Sequence, residues 1–282
     1  MILGFLQGVT EFLPVSSSGH LVVYQRLFGL GGPGGSDETG LLFDVMVHLG
    51  TLLAVLVVFR SDLAILVSNT WRVATGKAGA DRRSLRLLLL LALGTIPAAV
   101  FGLGWKDELE RLFSAPVHVG FAFLVTGSVL WLSRFAGRPG RSDLPAKDIG
   151  GTTWIDALLI GLGQALALIP GISRSGTTIS IALLLGLDRR LAARYSFLLA
   201  IPAILGAVAV QIGDTGGIPV DQWGAVAAGT ITAAVSGYIA LRLLLRIVVA
   251  GNLSRFSYYC WGIGLLTLGG VLSGLSGLSS AF

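Results

Sequence analysis

Six stretches of this chain stay apolar for about twenty residues each: 43–60, 87–105, 116–134, 194–212, 222–245 and 256–276. A helix needs roughly 20 such residues to cross the hydrocarbon of a bilayer. A soluble core has no need of six. Only 12% of the residues are charged, about half the usual 25%, so lipid must be the solvent for much of the surface. The expected fold class is an all-α integral membrane protein, forming a single membrane domain over residues 1–282.

Two further apolar stretches, about 1–29 and 154–187, are interrupted by Pro, Gly and Ser. Irregular backbone is tolerated at membrane depth only when it is buried in protein or lines a cavity. Both stretches are therefore expected to be re-entrant helical hairpins. The basic residues agree with this. Sixteen fall on one side if the hairpins do not cross: Arg60, Arg72, Lys77, Arg82, Arg83, Arg86, Arg134, Arg138, Arg141, Lys147, Arg189, Arg190, Arg194, Arg242, Arg246 and Arg255. The other side has Arg26, Lys106 and Arg111, with Asp37, Glu38, Asp107, Glu108, Glu110, Asp214 and Asp221. The excess of Lys and Arg marks the cytoplasmic side, which places both termini outside. This distribution also accounts for the net charge of +5 without nucleic acid. The opening residues 1–7 carry no basic leader, so a cleavable signal peptide is not expected, and Cys260 is the one cysteine, so an internal disulfide is excluded.

The two interrupted segments also resemble each other. Laid without gaps, residues 7–20 over 164–177 pair Gln7 with Gln164, Ser16 with Ser173, Ser18 with Ser175 and Gly19 with Gly176. Each is followed by three spans, an odd number, so two such units insert with opposite orientation. The expectation is an inverted-topology repeat of six transmembrane helices plus two re-entrant hairpins. Repeat one covers about 1–134 and repeat two about 154–276. Repeats of this kind place a site near the midplane.

Ionisable groups at membrane depth are functional candidates, and Glu11, His20 and Arg174 all lie on the matched segments. Gln7 and Glu11 are four residues apart and share a helix face; they can hold a divalent cation, or Glu11 can act as a general base. Ser16, Ser17, Ser18 and Gly19 can aim hydroxyls and backbone N–H groups at an anion, with His20 as a proton carrier. In the second segment a helix is expected to start near Thr177 and run through Leu187. Arg174 supplies a planar fork for phosphate oxygens, and Ser173, Ser175, Thr177 and Thr178 supply hydroxyls. Each feature also has an ordinary structural reading, as caps or paired charges. Asp44 and Asp156, near helix starts, are read as structural. His48 and His118 are weaker candidates.

Gln7-x-x-x-Glu11, then Phe12-Leu13-Pro14-Val15-Ser16-Ser17-Ser18-Gly19-His20, then Pro170-Gly171-x-Ser173-Arg174-Ser175-Gly176-x-Thr178 resemble the undecaprenyl-diphosphatase family, named for bacitracin resistance. The resemblance extends over nearly the whole chain. It implies hydrolysis of undecaprenyl pyrophosphate to undecaprenyl phosphate and inorganic phosphate, which recycles the carrier lipid of peptidoglycan synthesis. It also implies a divalent cation, Mg2+ or Ca2+, and a site in the bacterial plasma membrane open to the outer face. By motif position Glu11, His20, Ser17 and Arg174 are the central residues, supported by Gln7, Ser173 and Thr178. The first motif lies closer to Met1 than the family pattern has it, so a short first helix is expected.

Ser17, His20 and a water all remain open as the nucleophile. The acid-phosphatase-like lipid phosphatases share a Ser-Gly-His triplet but need a His after the Ser-Arg pair, and none follows Arg174. A polyprenyl-phosphate transporter or flippase using the same midplane site is the alternative from another class. The expected partners are the lipid substrate and the bilayer, with a homodimer left open.

Overall fold

The computed structural model describes residues 1–28, 38–77, 79, 81–113, 116–136, 146–212 and 223–274. Of the residues in the charge pattern, Asp37, Arg138, Arg141, Asp214 and Asp221 lie outside these, as do the side chains of Glu38 and Glu110. The main elements of the described residues are α-helices, in the order α1 (Ile2–Phe12), α2 (Ser17–Phe28), α3 (Glu38–Val58), α4 (Arg60–Ala74), α5 (Arg82–Gly104), α6 (Lys106–Phe113), α7 (Pro116–Leu132), α8 (Trp154–Leu166), α9 (Arg174–Leu184), α10 (Arg189–Ile212), α11 (Trp223–Val249) and α12 (Phe256–Leu272).

Among the described residues, four helices are long and apolar enough to cross a membrane: α5, α7 with the helical turn that extends it to Phe135, α10 and α11. A fifth candidate is α3, which runs into α4 through a bend of 76°. Only 33% of the apolar stretch of α5 and 39% of that of α11 is buried, so most of each faces outward, as a lipid-solvated surface requires. This is an integral membrane protein. α12 has 17 residues and rises about 26 Å.

Residues 60–86, between the apolar stretches 43–60 and 87–105, contain α4. Arg60, Asp62 and Arg72 lower the local hydropathy without opposing a helix. Leu66 is buried, and Asn69 donates to Ser84 Oγ at 3.2 Å and accepts from Asp81 N–H at 3.3 Å. The loop after α5 likewise holds α6.

The arginine-rich segments meet at one end of the molecule. Arg194 pairs with Asp62 at 2.7 Å, Arg86 donates to the Thr152 carbonyl at 2.7 Å, and Arg189 reaches the Val249 carbonyl at 3.4 Å. Lys147 bridges backbone to Leu187 and pairs with Asp156 at 3.0 Å. Asp156 also completes a reciprocal cap with Thr153 at the start of α8, a structural role as expected.

The interrupted stretches are α1–α2 and α8–α9. α1 crosses α11 at Gly4 against Gly229, where a Cβ on Gly4 would lie 2.9 Å from the Gly229 carbonyl carbon. α8 crosses α5 in the same manner, Gly161 against Gly94, again 2.9 Å. Lipid gives helices no hydrophobic reason to associate, so close backbone packing at small residues holds such crossings. Between the crossings lies a core built around Phe12, Ile160, Ile179, Tyr195, Phe197 and Leu241, in which the Tyr195 hydroxyl donates to the Leu90 carbonyl at 2.6 Å.

Candidate active site

The two helix breaks face each other in the core. In the first, Pro14 ends the run from α1, and Ser16 adopts a left-handed φ of 68° before α2 begins at Ser17. In the second, the left-handed turn falls on Gly171, φ 97°, where a Cβ would lie 2.7 Å from the Val119 carbonyl oxygen. Helix α9 then starts at Arg174, three residues earlier than the sequence indicated, because Ser173 is its N-cap. A serine before a helical run is a capping signal, and it places Arg174 in the first turn rather than in the loop. The helix ends at Leu184 instead of Leu187, with Gly186 at φ 88° making the exit turn.

Residues matched in sequence make matched bonds. Ser16 Oγ accepts from Gly19 N–H at 3.3 Å, and Ser173 Oγ accepts from Gly176 N–H at 3.1 Å. The hydroxyls of Ser16 and Ser18 are 3.3 Å apart, and those of Ser173 and Ser175 are 3.4 Å apart. The four hydroxyls are thus partly spent on holding the breaks.

The centre of the site is the Glu11 carboxylate. Its Oε1 accepts from Arg174 Nη2 at 2.6 Å. Its Oε2 accepts from Ser17 Oγ at 2.6 Å and from Gln7 Nε2 at 3.0 Å. The Arg174 and Glu11 side chains are 14% and 9% exposed, so this is a buried pair whose neighbours satisfy it by hydrogen bonds. Two polar atoms beside it are buried without a protein partner among the described residues, Arg174 Nη1 and Gln7 Oε1. The free guanidinium nitrogen is a cationic donor for an incoming phosphate oxygen, and the free amide oxygen is an acceptor for a cation or a hydroxyl.

His20 lies apart from this cluster. Its Nδ1 donates to the Ser16 carbonyl at 2.7 Å, which leaves Nε2 to accept from the Tyr259 hydroxyl, also at 2.7 Å. The two rings stack with centroids 5.7 Å apart and 8° between planes, and Phe123 meets His20 edge-on. Neither ring nitrogen reaches Ser17 or Glu11 directly. Thr178 donates to the Arg174 carbonyl at 2.7 Å and sits 2.6 Å from Ser196 Oγ, so its hydroxyl steadies the first turn of α9. Thr177 Oγ1 is buried and unpartnered among the described residues. His48 Nδ1 donates to the Asp44 carbonyl at 2.7 Å.

Three partners had no local signal in the sequence. Tyr259 is one. Thr126 on α7 donates to the Gly171 carbonyl at 2.9 Å and accepts from Ser173 N–H at 3.0 Å, fixing the second break. Cys260 on α12 offers its thiol to the Pro14 carbonyl at 3.5 Å, fixing the first. Pro14 and Gly171 are matched positions, and each break is held by a helix remote in sequence, the first by α12 and the second by α7.

For a divalent cation, the residues present supply one carboxylate and one free amide oxygen, Glu11 and Gln7 Oε1. No group of three His, Cys, Asp or Glu side chains comes together among the described residues. That set fits a cation shared with substrate phosphates, the usual manner for Mg2+, and does not fit a cage made by protein alone.

Residues 1–266 match the family model described as bacitracin resistance protein BacA. The chain belongs to this family. Among similar curated proteins, one from Desulfosudis oleivorans named undecaprenyl-diphosphatase is 45% identical over 277 residues, covering 95% of this chain and 96% of its own. Proteins of the same name from Carboxydothermus hydrogenoformans and Methanobrevibacter smithii are 42% and 38% identical, covering 95% and 98% of both chains.

Proposed function

We propose that this chain removes the terminal phosphate from a polyprenyl diphosphate, with undecaprenyl diphosphate, the compound in its relatives' name, as substrate. The observation that carries the reading is the Ser17 hydroxyl held 2.6 Å from Glu11, beside an arginine with one buried nitrogen still free. Glu11 takes the Ser17 proton as Oγ attacks the terminal phosphorus. The phosphoanhydride bond breaks, polyprenyl phosphate leaves with the proton that Glu11 took, and the phosphoryl group stays on Ser17. Water then attacks the phosphoserine, giving its proton to Glu11, and Ser17 is reprotonated as inorganic phosphate departs. Arg174 Nη1 and Thr177 Oγ1 bind the phosphoryl oxygens and offset charge developing on them. Gln7 and Glu11 would hold a divalent cation with the substrate, and the cation would supply further charge neutralisation to the diphosphate. His20, tied to Tyr259, fixes the first turn of α2 behind Ser17 and serves as a proton carrier at the site's edge.

The same reading gives the finer architecture: an inverted repeat in which α1–α2 and α8–α9 are the re-entrant hairpins and α3, α5, α7, α10, α11 and α12 are the six spans. The matched caps at Ser16 and Ser173, the paired glycine crossings and the exchanged clamps at Thr126 and Cys260 support it. The arginine-rich end faces the cytoplasm of a bacterial plasma membrane, and the site opens to the outer face.

Purified protein in detergent tests the reaction, since phosphate release needs no second compartment. Ser17→Ala is expected to cost about a thousandfold or more in kcat and to abolish trapping of a phosphoenzyme. A trapped phosphoenzyme in Ser17→Ala would move the nucleophile elsewhere. Absence of phosphate release from wild-type protein would favour the transporter instead.

A further inference from the structure

One cavity takes no part in this chemistry. It opens at the arginine-rich end, between the first turn of α10 and the last turns of α11. Its volume is about 440 Å3 and it is lined by Arg190, Arg242, Leu245, Arg246, Val249 and Ala250. Small-molecule sites occupy roughly 300–1,000 Å3, so the space is adequate for a headgroup.

Its chemistry is divided. Arg242 and Arg246 are four residues apart and share a face of α11. The Tyr238 hydroxyl accepts from Arg242 Nε at 3.2 Å and Nη2 at 2.9 Å, which orients that guanidinium and leaves Nη1 available. The side chains of Arg190 and Arg246 have no hydrogen bond or ion pair among the described residues. The nearby charges are already committed. Asp188 Oδ1 accepts from the backbone N–H groups of Arg190 at 2.9 Å and Leu191 at 3.2 Å. Arg189 turns to the Val249 carbonyl, and Arg194 pairs with Asp62. Among the described residues no carboxylate lines the cavity, and Arg190 stands in the first turn of α10, where the helix dipole is already positive. An anion there relieves both sources of repulsion. The remaining walls, Leu245, Val249 and Ala250, are apolar, and Val249 is 41% exposed on a helix whose outer face meets lipid.

We infer that this cavity binds the phosphodiester headgroup of an anionic membrane phospholipid, with the three arginines around the phosphate and the acyl chains along Leu245 and Val249. A basic pocket between helices at the cytoplasmic end is suited to this class of ligand.

Native mass spectrometry of the full chain, titrated with phosphatidylglycerol or phosphatidylcholine in detergent, tests the site. Wild-type protein should retain phosphatidylglycerol and not phosphatidylcholine. Each basic residue near an anionic headgroup is worth about fivefold in binding, so Arg190→Gln/Arg246→Gln should bind roughly thirtyfold more weakly. Val249→Glu keeps all three arginines and places a carboxylate in the cavity, and it should weaken binding as well. Arg72→Gln/Arg83→Gln removes the same charge elsewhere at this end and should leave binding unchanged. Equal retention of the two lipids, an unchanged affinity in either cavity variant, or the same loss in the Arg72/Arg83 control would overturn the proposal. Displacement of the lipid by millimolar inorganic phosphate would show a free-anion site and overturn it too.

Discussion

The Glu11–Arg174 pair allows the fold's dependence on the site to be separated from the chemistry's. Removing one partner of a buried ion pair costs about 3–5 kcal/mol, because a desolvated charge is left behind. With 14% and 9% exposure, solvent screening reduces this little. Arg174→Met leaves Glu11 with its bonds to Ser17 and Gln7 at 2.6 and 3.0 Å, so the cost should sit near 3 kcal/mol. Glu11→Leu strands a guanidinium that already has an unpartnered Nη1, so that cost should approach 5 kcal/mol. The double variant removes both charges and leaves apolar groups of similar size, a change that is often neutral. Equilibrium unfolding in mixed micelles should therefore give a coupling energy of several kcal/mol, far above the ~0.5 kcal/mol scatter of independent sites. Phosphate release should be absent from all three proteins. Additive single-variant costs would refute the buried pair, and phosphate release from the stable double variant would refute its role in catalysis.

Four further outcomes follow from named geometry. Ser16→Gly should be neutral or stabilising, since it relieves the φ of 68° while losing only a few tenths of a kcal/mol of capping; Ser16→Ala should cost about 1 kcal/mol in the same unfolding experiment. Gly4→Ala and Gly161→Ala should each cost about 1–3 kcal/mol, whereas Gly206→Ala, with open space around it, should cost nothing measurable. Tyr259→Phe removes the donor to His20 Nε2 and should lower kcat about tenfold with KM unchanged; a change confined to KM would count against it. The exposed Asp81 caps α5, and the Arg83 backbone N–H, then the Ser84 hydroxyl, hold its carboxyl below the usual range. Its folded value is depressed, so the capping contribution is fully present above about pH 4 and fades as pH falls through the folded value. The gap in amide exchange between wild type and Asp81→Ala at the start of α5 should close over that fall.

Much of this was legible in the chain because lipid makes helices announce themselves. The runs at 87–105, 194–212 and 222–245 correspond to α5, α10 and α11, and both breaks fall where Pro, Gly and Ser cluster. The i, i+4 spacing of Gln7 and Glu11 appears as a bond of 3.0 Å. α4 was hidden because hydropathy reports solvent and not helicity, so an amphipathic, charged helix reads as a loop. The start of α9 was misplaced although Ser173 carried the capping signal. Thr126, Tyr259 and Cys260 could not be found locally. Each looks like packing on its own helix, and its partner arrives from 45 to 246 residues away.

Those separations bear on how the protein is made. The α1–α2 hairpin leaves the ribosome well before its partners do: the Pro14 carbonyl waits for Cys260, 246 positions later, His20 for Tyr259 and Glu11 for Arg174. Contacts this remote close late and slowly. A segment synthesised early is thus completed late, and its carboxylate must stay neutral or hydrated during insertion until the arginine arrives. An arrested nascent chain ending before α12 would hold every residue proposed to bind phosphate and still lack the clamp on Pro14, so catalytic competence should appear only once α12 is made.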